Sequence, residues 1–196
     1  EYFPCSCPLC TRTDPADVED MVKLKRQEFL ARHNLYVSAA EIRRVKQAIV
    51  EGRLWEHLEM QSHGHPALLS ALKRLGKYDA YLEAQSPVSK SSGLFFYGAV
   101  DLVRPEVLRH AERLRERFTR PKNAEVLLLL PQSRSKPFHK SREHSRILRS
   151  VEQRLKDKKS RVHVCTYSAP FGVVPKELDE VYPLSQHELA LPLDYE

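Results

Sequence analysis

Three cysteines lie within six residues near the amino end of the chain, at positions 5, 7 and 10, and His33 follows one helix-length later. Cysteines this close in sequence rarely reach disulfide geometry with one another, and the only other cysteine is Cys165. Thiolates and imidazole are the ligands of closed tetrahedral zinc sites. The spacing therefore predicts a structural Zn²⁺ bound by Cys5, Cys7, Cys10 and His33, with no open position for water.

Composition sets the expected size and setting of the protein. The 196 residues, 41% of them hydrophobic, suffice for one large domain or two small ones. No apolar run approaches membrane-spanning length, so no membrane partner is expected. No secretory segment precedes the cysteines, which predicts a cytoplasmic setting. Because the chain begins at Glu1 and a metal motif follows at once, we expect a segment of a larger protein.

Positive charge is modest overall but clustered. The 32 Lys and Arg residues exceed the 26 Asp and Glu residues, which gives a formal net charge of +6. Nine basic residues fall between Lys136 and Lys159. This clustering favours a nucleic-acid partner, and the alternative is an ordinary solvated surface.

The first half of the chain has helical patterns. We expect a helix from Asp17 to Ala31 that delivers His33, and a second helix that starts at Ser38 with a Ser38–Glu41 capping box. Ile42, Val45 and Ile49 would form the apolar face of that second helix, and Gly52 would end it. Two shorter helices are expected at residues 65–75 and 78–84.

The second half shows an alternation of strands and helices after a linker at residues 86–93. The five aliphatic residues Val126–Leu130 predict a strand covered on both faces. A helix over 141–155, with Ile147, Leu148, Val151 and Leu155 buried, and a strand over 161–166 would complete a parallel β-α-β unit. Further elements are expected at residues 94–97, 105–118 and 188–191.

A polar loop, residues 131–144, connects this buried strand to the next helix. Ligands of open α/β sheets bind at the carboxyl ends of strands, where backbone N–H groups face anions. The loop carries several groups able to bind a phosphate or a base edge, namely Ser133, Ser135, Lys136, His139, Lys140, Ser141 and His144. Lys136 could serve as a nucleophile or as a positive charge. The residues alone favour a site and a basic surface loop equally.

The cysteine motif and the step of 23 residues from Cys10 to His33 resemble the zinc site of the archaeal tRNA-guanine transglycosylase superfamily. The neighbouring sequences Glu1–Pro4, His33–Leu35 and Ile42–Ile49 are also similar to archaeal members. This resemblance implies an α/β fold. Residues 1–90 would form the C-terminal part of a TIM-like barrel with its zinc-binding subdomain. Residues 91–196 would form a small α/β domain with the parallel unit.

The second half resembles the core domain of archaeosine synthase, a paralogue of the transglycosylase. That family's signature reads Pro-Cys-Ser, a spacer, Lys-Pro-Tyr, then Ser and His, and here the matching residues are Pro131, Gln132, Ser133, Lys136, Pro137, Phe138, Ser141 and His144. Gln132 replaces the cysteine, which removes a thiol for a covalent thioimidate. Phe138 replaces the tyrosine, which removes a hydroxyl.

The resemblance implies that the protein modifies tRNA in archaeosine biosynthesis. Our first interpretation is synthase-like addition of an amine, lysine in that family, to the nitrile of 7-cyano-7-deazaguanine in the D-loop. Lys136, Ser133 and His144 would then be catalytic, and a radical-SAM partner would release the amidine. Substrate contacts are expected from Ser141, Lys140 and Arg142.

Two alternatives remain open. The chain could be a segment of the transglycosylase that exchanges guanine for 7-cyano-7-deazaguanine. It could also be a non-catalytic tRNA-binding scaffold that completes a barrel supplied by an upstream segment or another chain, within a homo- or hetero-oligomer. In the family the catalytic aspartates lie before the zinc cysteines, so this polypeptide is not expected to be catalytically complete alone.

Overall fold

The computed structural model describes residues 2–190, which divide into two compact units at the start of the third helix, residues 2–54 and 55–190. The helices of this described range are α1 Pro15–Asp20, α2 Lys23–Val50, α3 Leu54–Ser62, α4 Pro66–Arg74, α5 Asp79–Gln85, α6 Pro105–Arg117 and α7 Arg142–Leu155. The strands are β1 Leu94–Phe96, β2 Val126–Pro131, β3 Val162–Ser168, β4 Gly172–Pro175 and β5 His187–Leu189. Over these residues, none of the helices combines the length and the apolar character needed to cross a bilayer.

The first unit consists of the cysteine segment and two helices. Asp14 caps α1 through a reciprocal capping box with Asp17. The backbone is extended at Met21 and Val22, which separates α1 from α2. The predicted helix over Asp17–Ala31 is therefore two helices, because the extended pair interrupts it.

Helix α2 is continuous over 28 residues, so the predicted helix start at Ser38 is wrong. Ser38 lies in the middle of α2, and Glu41 pairs with the Arg44 guanidinium at 3.0 Å instead of capping a helix start. The segment contains neither proline nor glycine, and Ala39 and Ala40 favour helix, so nothing breaks the hydrogen-bond ladder there. The consequence is that His33 occupies the interior of a rigid element.

The end of α2 agrees with the prediction for Gly52. This glycine has φ +69°, the left-handed conformation that closes many helices. The N–H of Gly52 bonds the Ile49 carbonyl at 3.0 Å, and the N–H of Arg53 bonds the Ala48 carbonyl at 2.7 Å. The predicted apolar face is not buried, however, because Ile42 and Ile49 remain 56% and 57% exposed.

The second unit contains two small sheets. Strands β1 and β5 pair in parallel, and the other sheet has the order β2-β3-β4. In that sheet β2 runs parallel to β3, with Val126 opposite Val162, and α7 lies between the two strands in sequence. The predicted parallel β-α-β unit is therefore confirmed, and β4 extends it as an antiparallel hairpin.

The predicted burial of this unit is partly wrong. Strand β2 forms an edge of its sheet, and Val126, Leu127 and Leu129 are 56%, 55% and 46% exposed. On α7, Ile147 is 37% exposed, and the other three apolar positions named above are only partly buried. A run of aliphatic residues predicts a strand, but burial on both faces also requires layers that residues 2–190 do not supply.

The predicted barrel is not confirmed. Within the described part of residues 1–90 the regular elements are helical, and the first strand begins at Leu94. The predicted domain boundary near residue 90 falls inside the second compact unit. The division into a transglycosylase-like part and a synthase-like part therefore stays a prediction. Of the final predicted element, β5 covers residues 187–189, and Leu191 lies outside the described residues.

A fully buried arginine joins several elements of the second unit. The Arg104 guanidinium donates to the Phe95 carbonyl at 3.0 Å and to the Glu56 carboxylate at 2.9 Å. Asp101 and Glu106 place carboxylate oxygens 3.6 Å from the same group. Because Arg104 immediately precedes α6, this contact set ties α3, β1 and α6 together beside the hydrophobic core.

That core is aromatic and aliphatic. Phe96 and Phe171 meet edge to face with ring centroids 5.7 Å apart. The buried hydrophobic cluster around them comprises Leu94, Phe96, Val107, Phe138, Phe171, Val174 and Leu184. The cluster gathers β1, α6, β4 and the loop after β2, so the polar loop is anchored to the core through Phe138.

We predict that Arg104→Met destabilises the second unit by about 3–5 kcal/mol, because it leaves buried carboxylates without their cation. Urea unfolding followed by the fluorescence of Trp55, the chain's one tryptophan, measures the loss. The matched control is Arg115→Met on the exposed surface of α6, which should change the free energy of unfolding by less than about 0.5 kcal/mol. Equal losses in the two variants would contradict this role of Arg104.

We also predict a pH-dependent stability that originates at Glu59. Burial, and secondly the neighbouring Asp101 carboxylate, raises the pKa of Glu59 to about 8. The folded state therefore binds this proton more tightly than the unfolded state, whose pKa lies near 4.5. The free energy of unfolding should fall between about pH 5 and pH 8, by up to ~1.4 kcal/mol per pH unit.

Glu59→Gln should remove this decrease, since a glutamine does not titrate. Urea unfolding at a series of pH values measures the slope for each variant. Glu112→Gln, at an exposed position on α6, is the control and should retain the wild-type slope. An unchanged slope in Glu59→Gln would show that the decrease originates at other groups.

Candidate functional site

The predicted zinc ligands come together in the first unit. One ligand atom from each of Cys5, Cys7, Cys10 and His33 lies within 4.8 Å of all the others. The His33 Nδ1 atom is 3.2 Å from the Cys10 sulfur and 3.6 Å from the Cys7 sulfur. Cys7 and Cys10 are buried, and the other two side chains are partly buried.

Local hydrogen bonds explain why the cysteine segment folds this way. The backbone N–H of Cys7 donates to the Cys5 sulfur, and that of Cys10 donates to the Cys7 sulfur, each at 3.4 Å. Thr11 donates to the Cys7 carbonyl through both its N–H and its hydroxyl at 3.1 Å. The chain is thus turned so that its sulfurs point to one side, where α2 presents His33.

The four side chains fit a zinc ion. Zinc–sulfur bonds of about 2.3 Å and zinc–nitrogen bonds of about 2.0 Å place a sulfur and a nitrogen ligand roughly 3.5 Å apart and two sulfur ligands roughly 3.8 Å apart. The observed separations from His33 Nδ1, 3.2 and 3.6 Å, require only small adjustments to reach this geometry. With all four positions filled by protein, the ion would stabilise the fold of the cysteine segment on α2, and it would not activate water.

The electrostatics of the thiols also favour a cation. The N–H of Cys10 lowers the pKa of Cys7 to about 6, so that this sulfur is readily ionised. Burial, followed by the neighbouring Cys7 and Cys5 sulfurs, raises the pKa of Cys10 to about 12. A divalent ion among the sulfurs offsets that mutual repulsion and allows all three to bind as thiolates.

The second candidate site is the loop after β2 in the second unit. Lys136 is half-buried there, with its ammonium 5.7 Å from the centre of the Phe138 ring. Burial lowers the pKa of Lys136, and the Glu188 carboxylate opposes this effect. The side chain is therefore closer to a neutral amine than an ordinary lysine is.

The other predicted catalytic residues make structural contacts. The buried imidazole of His144 donates from Nε2 to the Pro131 carbonyl at 2.7 Å, which ties α7 to the end of β2. The Ser133 hydroxyl donates to the Ser135 carbonyl at 2.9 Å within the loop. These contacts explain the loop's conformation, and the catalytic roles of Ser133 and His144 stay predictions.

Two of the three predicted substrate-binding residues also make contacts within the protein. Ser141 is 2% exposed and caps α7 by accepting the N–H of His144 at 3.2 Å. The Lys140 ammonium pairs with Glu180 at 2.6 Å. Arg142 is exposed at the first turn of α7, and its predicted contact with substrate stays a prediction.

Sequence reasoning missed two contacts at or beside this loop. The His187 imidazole is buried against the Phe171 ring at 4.9 Å, and burial, together with Lys136, lowers its pKa to about 3. Gln132, the residue at the position of the family's cysteine, accepts a hydrogen bond from the Ser168 hydroxyl at 2.8 Å. No local spacing indicates either contact, since the partners lie 16 and 36 residues away in sequence.

Two family models match separate parts of the chain. The model described as queuine tRNA-ribosyltransferase matches residues 2–67, which include all four zinc ligands. The model described as a domain of unknown function, DUF5591, matches residues 107–192, which include the loop after β2.

Individual relatives match nearly the whole chain. A tRNA-guanine(15) transglycosylase of Methanocaldococcus jannaschii is 40% identical over 196 residues, which are 99% of this chain and 27% of the relative. The enzymes of the same name from Methanobrevibacter smithii and Saccharolobus solfataricus are 43% and 37% identical over 96% and 99% of this chain. The resemblance to the archaeal tRNA-guanine transglycosylase superfamily is confirmed.

The relatives also set limits on the assignment. The chain spans 27%, 28% and 37% of the lengths of these three transglycosylases, so it corresponds to a segment of each. All three carry the transglycosylase name, which supports that alternative better than the synthase interpretation.

We predict about one zinc ion per chain in the purified full-length protein, measured by atomic emission. Cys10→Ala should lose the ion, because a three-ligand remnant binds far more weakly. The control is Cys165→Ala, which removes a buried thiol in β3 and should keep full zinc content. Equal zinc in both variants, or a folded protein without metal, would contradict the assignment.

Proposed function

We propose that this chain is part of an enzyme that exchanges a guanine base in the tRNA D-loop for 7-cyano-7-deazaguanine. The observation that carries the proposal is 40% identity over 99% of the chain to a tRNA-guanine(15) transglycosylase, together with the cluster of three cysteines and one histidine. The proposal places the bond-breaking step outside this chain, because the family's catalytic aspartates precede its zinc cysteines.

In this proposal the first unit braces the enzyme. Zinc fixes the cysteine segment on α2, and the rest of the polypeptide covers the exposed apolar side chains of that helix. Leu35, Ile42 and Ile49 support this role, since they recur at seven-residue intervals and are 70%, 56% and 57% exposed. Large exposed apolar surfaces are typical of protein interfaces.

In the same proposal the second unit contacts tRNA. Arg142, Arg146 and Arg149 are exposed along α7, and the 3-10 helix Lys156–Arg161 adds further basic side chains. Such residues bind phosphates by releasing counterions, which gives affinity without sequence specificity. The unit would then help to position the tRNA while the remainder of the enzyme exchanges the base.

One observation favours a second candidate function, amine addition to the nitrile of the modified base. The half-buried Lys136 ammonium, whose pKa burial lowers, has the character that a nucleophilic or proton-transferring amine requires. Gln132 opposes this candidate, because it cannot form the thioimidate that the family's cysteine would provide. We therefore rank base exchange first.

The two candidates predict different results for Lys136→Met in the full-length protein. If the chain belongs to a base-exchange enzyme, incorporation of radiolabelled guanine into tRNA should stay within about twofold of wild type, because Lys136 takes no part in that step. If it belongs to an amine-adding enzyme, the variant should lose formation of the lysine adduct, which mass spectrometry of tRNA nucleosides detects. Wild-type protein that performs neither reaction would contradict both candidates and support the scaffold alternative.

A further inference from the structure

The second unit contains a cavity away from the loop after β2. Its accessible volume is about 270 Å³, and it lies between α6 and the segment Leu178–Leu184. Apolar side chains form most of the wall, among them Leu114, Phe118 and Val181. The volume is just below the range of roughly 300–1,000 Å³ typical of small-molecule sites, so it suits a single planar group better than an extended ligand.

A row of arginines borders this cavity. Arg109, Arg113 and Arg117 follow one another at four-residue intervals on α6 and all contribute to its lining. Arg109 is fully engaged, since its guanidinium donates to the Glu83 carboxylate at 3.0 Å and to the carbonyls of Glu83, Ser86 and Pro87.

The other two arginines are available. Within residues 2–190 the Arg113 and Arg117 guanidinium groups have no hydrogen bond or ion pair to protein. Two unpaired guanidinium groups at the rim of an apolar cavity favour a ligand with an anionic group next to an apolar or aromatic body.

Two polar side chains, His110 and Tyr182, also line the cavity. The Nε2 atom of His110 and the hydroxyl of Tyr182 are both buried and lack a hydrogen-bond partner in the described part of the chain. Burial lowers the pKa of His110, which favours the neutral imidazole, and burial raises the pKa of Tyr182, which favours the protonated hydroxyl. A ligand edge with donors and acceptors would satisfy both groups after a small side-chain rotation.

The cavity is also lined by an aromatic ring, Phe118, and by planar guanidinium groups. The Phe118 ring stacks on His163 with an interplanar angle of 14° and a centroid distance of 5.8 Å, which fixes the orientation of that wall. Aromatic and arginine planes bind nucleobases by stacking, and arginine also binds the adjoining phosphate.

We propose that this cavity binds a single unpaired nucleotide, with the base between the apolar walls and the phosphate at Arg113 and Arg117. The nucleotide can be free in solution or belong to an RNA strand. Binding of a nucleotide within RNA rests on the proposed function, in which tRNA is the substrate. Binding of a free nucleotide does not.

Two variants of the full-length protein test the assignment. The double variant Arg113→Gln, Arg117→Gln removes the proposed phosphate contacts, and Tyr182→Phe removes one hydroxyl while keeping the ring. The control is Arg115→Gln. Arg115 is an exposed arginine of the same helix, its guanidinium donates to the Ala111 carbonyl, and it does not line the cavity. Circular dichroism confirms that each variant is folded before binding is measured.

Binding of the four nucleoside monophosphates by calorimetry tests the free nucleotide, with ribose 5-phosphate as the probe that lacks a base. We expect the double variant to weaken binding by on the order of tenfold or more, and the control to change it by less than about twofold. Photocrosslinking of a tRNA transcript, with mass spectrometry of the attached peptides, tests the RNA source. We expect crosslinks at Phe118 or Tyr182 that Arg113→Gln, Arg117→Gln reduces and Arg115→Gln does not.

The outcomes separate this proposal from the proposed function. Mononucleotide binding that depends on Arg113 and Arg117 supports a site for free nucleotides, and crosslinks alone support a nucleotide within RNA. The nucleotide site would be overturned if neither mononucleotide binding nor crosslinking were detected. It would also be overturned by equal losses in the double variant and the control, or by ribose 5-phosphate that binds as tightly as a mononucleotide. Guanine exchange measured on the same preparations tests the proposed function independently, since either result can occur with the nucleotide site present or absent.

Discussion

The convergence of three sulfurs and one imidazole is the interaction on which the account of the first unit depends. The four ligand atoms lie within 4.8 Å of one another, although His33 is separated from the cysteine segment by a helix and an extended turn. Few packed residues hold that segment otherwise, since most side chains of α2 are exposed. Bringing several thiolates together is unfavourable without a cation, so we propose that metal binding and folding are coupled here.

The second unit is organised by a different constraint. Arg104 is buried among Glu56, Asp101 and Glu106, and its contacts determine how α3, β1 and α6 meet. The aromatic core lies beside this cluster and anchors the loop after β2 through Phe138. The two candidate ligand regions of this unit, the Lys136 loop and the α6 cavity, therefore both rest on a framework held by one buried cation and a small hydrophobic core.

The sequence predicted what is encoded locally. The clustering of Cys5, Cys7, Cys10 and His33 follows from residue type and spacing, and the β2-α7-β3 unit follows from its strand and helix patterns. The predicted helix start at Ser38 is wrong because a serine followed by a glutamate three residues later resembles a capping box wherever it occurs. The neighbouring alanines favour helix, and α2 is continuous through them. The Arg104 cluster, the His187 environment and the α6 cavity escaped prediction, since their members are distant in sequence and meet only through tertiary packing.

X-ray absorption at the zinc edge of the full-length protein tests the central claim most directly, because it reports the identity and distance of the atoms around the metal. The account predicts three sulfur ligands at about 2.3 Å and one nitrogen ligand at about 2.0–2.1 Å, with no additional oxygen. Replacement of His33 by alanine should, like Cys10→Ala, leave a three-ligand remnant and greatly reduce the bound zinc. A first shell of oxygen and nitrogen atoms, or a four-sulfur shell unaffected by that replacement, would contradict the assignment of Cys5, Cys7, Cys10 and His33.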